Sequence, residues 1–141
     1  MTNLNGFLSL IAFIFCTALL FVRAAHPDPG DETRVAQVKD LMRGVQQPAM
    51  KRLMAAAKQT PATDKDWDEI RSAAALLNED GHILMQAGRS KDELWSKACS
   101  DLRAATAAIC SAAEAKDLKA VKVQIPKVGV TCKTCHAAHK K

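Results

Sequence analysis

The sequence predicts an all-α domain, an antiparallel up-down-up-down four-helix bundle. Three observations carry that expectation. Apolar residues recur at alternating steps of three and four along four separate stretches, the spacing of a helix that buries one face. Capping and helix-stopping residues fall between the stretches, and the short connections they leave favour antiparallel neighbours. Nothing in the chain reads as strands alternating with helices.

The first stretch carries Val35, Val38, Met42, Val45 and Ala49, and Thr60-Pro61 ends it. Pro48 lies inside it and removes one backbone bond, so a kink is expected there. The second carries Trp67, Ile70, Ala74, Leu77, Gly81 and Leu84. Thr63-x-x-Asp66 opens it as a capped start, and Gly88 is placed to close it.

The third carries Trp95, Ala98, Leu102, Ala105, Ile109 and Ala112, with Ser90-x-x-Glu93 as its capping box. The fourth carries Leu118, Val121, Ile125, Val128, Cys132, Cys135 and His139, with Asp117 as cap. Pro126, Gly129 and a run of valines make this segment a poor helix by propensity. One helix bent near Pro126 is expected. The alternative is an extended 121–125 stretch, with Pro126 opening a shorter helix.

Ahead of the bundle, residues 7–22 form an apolar run whose only polar members are Ser9 and Thr17. It is short for a membrane span, which needs about 20 residues, and suits the core of a secretory signal. Val22 and Ala24 fit the small residues before a cleavage site, which makes 1–24 a signal peptide. The first six residues hold no Lys or Arg, so an uncleaved N-terminal anchor is the alternative. Residues 25–32 read as a tether, and 33–141 as one domain. Removing 24 of the 141 residues leaves 117, enough for one domain and not two.

The net charge is +5, with 20 Lys and Arg against 15 Asp and Glu. No basic cluster is interleaved with aromatics, so nucleic-acid binding has no support. The mild basicity suits a solvated surface that meets acidic redox partners. No paired-carboxylate or Ser/His/Asp arrangement is visible, and the chain is not expected to be an enzyme.

The chemistry lies near the end, in Cys132-Lys133-Thr134-Cys135-His136. C-x-x-C-H is the attachment signature of c-type haem. Two thiols add across the porphyrin vinyl groups, and the adjacent imidazole ligates the iron. On a helix, residues at i, i+3 and i+4 share a face, so all three reach one flat ring. The fourth stripe would carry both cysteines to the core side. A redox dithiol would sit at a helix start after a strand. A zinc site would need a further ligand pair from a distant segment, and Cys99 and Cys110 are not spaced as one. Haem attachment also agrees with an export signal.

Four helices with the haem motif on the last resemble the cytochrome c prime family of class II c-type cytochromes. The resemblance covers roughly residues 33–140 and is strongest in Val128-Gly129, Cys132-Lys133-x-Cys135-His136 and the run from Trp95 to Ala113 followed by Asp117. It implies one covalent haem c, bound by the last helix, with His136 as an iron ligand. The first helix would cover the other side of the iron. A methionine there is the sixth ligand in low-spin members, and an apolar residue leaves the iron five-coordinate in others. Met42 is the matching residue, either as ligand or as a side chain over the ring; Met50 and Met54 read as core filler.

Two departures stand out: Val38 with Lys39 where the family often has Arg, and His139-Lys140 where Tyr-Arg is common. The function implied is a periplasmic electron carrier ligated by His136 and Met42, exchanging single electrons with redox proteins outside the cytoplasm. The alternative is a five-coordinate haem protein that binds nitric oxide or carbon monoxide. The resemblance also admits a homodimer. Membrane contact would follow only if the N-terminal segment is retained, leaving the domain anchored to the inner membrane and facing the periplasm. Cys99 and Cys110 read as buried free thiols, His82 as a surface residue, and His139 as a neighbour of the ring edge.

Overall fold

The computed structural model describes residues 35–86 and 88–140. They form four helices, and there is no strand among the described residues. The predicted signal segment 1–24 and the tether 25–32 lie outside the described residues. Helix α1 runs as Val38–Leu41, a π-helical turn Met42–Gln46, and Gln47–Lys58. Helices α2, α3 and α4 are Asp64–Met85, Glu93–Glu114 and Leu118–His139. Among the described residues, no helix is long and apolar enough to cross a membrane.

Helix α1 begins later than its stripe suggests. The Asp40 carboxylate accepts the Gln37 N–H at 2.9 Å, which fixes the start at Val38 and leaves Val35 outside, 92% exposed. Pro48 has no N–H to offer the Gly44 carbonyl, and its ring crowds that turn. The irregularity expected there takes the form of the π turn just before it.

The start of α2 is as read: Thr63 Oγ1 accepts from the Asp66 N–H, and Asp66 accepts from the Thr63 N–H at 2.8 Å. Those bonds hold the Asp66 carboxyl below its usual range, the backbone bond from Thr63 most of all. For α3 the cap is Asp92 and not Ser90. Its carboxylate accepts the Trp95 N–H at 2.8 Å, while Ser90 pairs with the Ser96 hydroxyl. The helix ends in a Schellman turn: Asp117 N–H reaches Ala112 C=O and Lys116 N–H reaches Ala113 C=O. Lys116 takes the left-handed position there, at φ 55°. Gly88 is also left-handed, at φ 76°, in the turn past α2.

Helix α4 is continuous through Pro126, so the extended alternative is not adopted. Proline leaves the Lys122 carbonyl without its helical partner. Both residues are exposed, and solvent can serve that oxygen.

One core joins all four helices. Ala49 and Leu53 of α1, Ile70 and Leu77 of α2, Leu102 and Ile109 of α3, and Val121 and Val128 of α4 belong to it. Burying each large aliphatic side chain contributes about 1.5–3 kcal/mol. A second cluster of Leu84, Trp95 and Cys99 lies beside it, with Leu41, Met42 and Cys135 against it. Trp95 Nε1 donates to the Leu84 carbonyl at 2.7 Å and ties α3 to α2.

Candidate functional site

The second cluster forms part of the wall of an open cleft of about 720 Å³. That lies within the range of about 300–1,000 Å³ usual for cofactor and small-molecule sites. Helix α1 contributes Met42, Gln46, Met50 and Met54 to the lining, and α3 contributes Trp95. The last two turns of α4 contribute Cys132, Cys135, His136 and His139. A smaller recess of about 20 Å³ shares Met42, Trp95, both cysteines and His136, and reaches Leu84 and Cys99. All four residues singled out by the sequence therefore line one space.

The helical arrangement explains why. Cys132, Cys135 and His136 follow the i, i+3, i+4 spacing of one face, and His139 extends it by a turn. Met42 and Gln46 are the first and last residues of the π turn. The wider turn carries four residues around to nearly the same face, so both side chains enter the cleft. π turns inside helices are frequent at functional sites.

Burial raises the pKa of the Cys132 and Cys135 thiols, and of Cys99, which is pushed up to about 11. All three are un-ionised at neutral pH. A redox CxxC works by the opposite shift, a thiol lowered at a helix N-terminus. Here the pair sits near a helix C-terminus, where the dipole also disfavours a thiolate. Among the described residues no three His, Cys, Asp or Glu side chains converge to hold a metal ion directly. That geometry does not supply the closed ligand set of a zinc knuckle.

His139 stands edge-on to Trp95, with ring centroids 5.3 Å apart. Its Nε2 lies 3.4 Å from the Asp92 carboxylate without forming a hydrogen bond. Behind Gln46, Asp80 is 1% exposed. Burial raises its pKa, while the neighbouring Gln46 side chain and the Arg89 charge pull the other way. Neither Asp80 oxygen makes a hydrogen bond among the described residues.

Several residues stand apart from their expected roles. Met54 is half exposed and lines the cleft, because the helix turns that side chain away from the core. Met50 packs partly against the main core and also lines the cleft. Cys99 is buried as expected, but in the recess shared with Cys132 and Cys135; Cys110 is only partly buried, with Sγ 3.6 Å from the Arg71 carbonyl. His82 is exposed. Gln46 escapes a reading based on apolar spacing, although its place four residues after Met42 was a usable signal. Comparison with family models, with curated proteins and with solved structures finds no match to this chain.

Proposed function

We propose that the chain is an exported c-type cytochrome of the class II kind, an up-down-up-down bundle that carries single electrons. One observation supports this above the others: Cys132, Cys135 and His136 of α4 face the same cleft as Met42 of α1. The fit to a haem is good on this chain's own terms. The cleft is of cofactor size, its walls include Trp95, Met50 and Met54, and its two thiols are held as thiols by burial. When bound, the haem supplies an iron that alternates between two oxidation states.

The protein's residues do the rest. Cys132 and Cys135 would fix the ring by thioethers. His136 of α4 and Met42 of α1 would be the residues that hold its iron. Two such protein ligands would leave no open position for substrate chemistry, and the soft sulfur would raise the potential. Trp95 and Leu84 form a dry inner wall that limits solvent at the ring. The export signal expected in 1–24 agrees with work outside the cytoplasm, where c-type haem is attached.

The test is the full chain made in a maturation-competent host. Mass analysis should show one added haem, and a Cys132→Ala/Cys135→Ala variant should carry none. The oxidised protein should give low-spin bands with the weak far-red feature of methionine ligation. Met42→Ala should convert it to a high-spin form that binds carbon monoxide when reduced. An unmodified polypeptide defeats the haem reading. A wild type that is high-spin and binds carbon monoxide defeats Met42 ligation and favours gas binding.

A further inference from the structure

Five cations line the cleft: Lys39, Arg43 and Lys51 on α1, Lys91 before α3, and Lys140 after α4. All five are exposed. Among the described residues no aspartate or glutamate lines the same space. Among the described residues none of the five has a carboxylate at ion-pair distance, whereas Arg52, Arg71, Lys97 and Lys116 elsewhere each have one. Asp92, next to Lys91 in the chain, is turned to His139 and caps α3.

Their spread excludes a single small anion as the occupant. Lys39 and Lys51 are twelve residues apart, about 18 Å along a helix at 1.5 Å per residue. Lys91 and Lys140 stand on other elements. Two ring carboxylates would neutralise two of the five and leave the others facing outward. Cations spread over the mouth of a cleft, with no carboxylate partner among the described residues, give a positive local field, which speeds encounter with a partner of opposite charge.

We propose that this cationic mouth is the docking surface for an acidic redox protein, which approaches over the cleft. The docking surface stands on the charges and the shape of the mouth; that the partner is a redox protein rests on the haem reading. Lys39, Lys51 and Lys91 are the principal contacts. Lys91 is held in place over the Trp95 ring, 5.2 Å from its centroid, so one docking charge touches the cleft wall. A concave mouth ringed on three elements suits a convex acidic face better than a flat anionic bilayer.

The probe is flavodoxin, a small and strongly acidic electron carrier. Interferometry on the full chain, with or without haem, should show binding that weakens steeply between 20 and 300 mM salt, roughly the range over which screening takes hold. Lys39→Glu/Lys51→Glu/Lys91→Glu should lose at least about ten-fold in affinity at low salt, within the 10–10³-fold span of electrostatic steering. The Gln versions should lose less. With the haem-loaded protein, one-electron transfer from reduced flavodoxin should slow in the same order, and the variants should converge at high salt.

Equal binding by wild type and the Glu variant overturns the proposal, whatever the haem content. Salt-dependent binding to vesicles of anionic lipid, with none to flavodoxin, overturns it in favour of a membrane surface. Absent haem with intact flavodoxin binding would instead defeat the electron-carrier reading and leave the docking surface standing.

Discussion

Asp80 is the residue whose surroundings conflict most with its chemistry. It sits on the buried side of α2 between Leu77 and Leu84, both of which line the cleft or its recess. A buried polar group without a partner costs about 1–3 kcal/mol. Burial raises its folded-state pKa above the ordinary 3.8. Between those two values the folded chain holds the proton more firmly than the unfolded chain does. Stability from this group therefore falls as pH rises through that window, and stays at the lower level above it. Asp80→Asn removes the charge and keeps the shape, with an amide that can pair with Gln46. It should stabilise the haem-free chain by about 1 kcal/mol at pH 7. Thermal melts of the two proteins should converge as the pH drops through the window. An Asn variant less stable than wild type at pH 7 would mean that the carboxylate has a partner in solution.

At the level of elements, glycine separates tolerance from constraint. A Cβ at Gly81 would meet Arg103 Cγ at 2.9 Å, with the Cys99 carbonyl and a Leu102 methyl at 3.5 Å. A Cβ at Gly44, in the π turn, would meet nothing within 4 Å. Alanine gains about 1 kcal/mol over glycine in a helix interior. Gly44→Ala should realise most of that gain. Gly81→Ala should forfeit it and lower stability by about 1 kcal/mol, the low end for overpacking, because the Arg103 side chain of α3, packed on α2, must shift to make room. Urea midpoints of the two variants should move in opposite directions.

The same elements show what the sequence made legible. The stripes of α2 and α3 land on the core almost residue for residue, because long helices repeat their period often enough to be unambiguous. Helix starts are different, since nearby caps compete: Asp40 overrides Val35, and Asp92 overrides Ser90. The π turn is foreshadowed only by Pro48, because a proline requires relief without dictating its form. That Cys132, Cys135 and His136 share one cleft is readable because the i, i+3, i+4 spacing puts them on one helix face. Gln46 and the cations of the mouth are not, since they meet only through tertiary structure.

Over the whole molecule, helix α1 is the weakly held member. Helices α2 with α3, and α3 with α4, share their longest contacts, while α1 touches α4 over a short length. Only Ala49 and Leu53 of α1 are fully buried in the main core, and the cleft opens between its π turn and the end of α4. Segments with few buried apolar contacts open locally below the global unfolding free energy. In the haem-free chain, amides of Val38–Lys58 should exchange at least about ten-fold faster than those around Ile70–Leu77 and Leu102–Ile109, a gap of about 1.4 kcal/mol in opening free energy. A haem anchored on α4 and ligated by Met42 would join α1 to α4 across that gap. Loading it should slow exchange in α1 more than in α2 or α3, with the largest effect in the turn from Met42 to Gln46. Met42→Ala should abolish most of that added protection while leaving the haem attached. Uniform slowing across all four helices would show that the ring acts only as core filling, and that α1 is held by something other than its methionine.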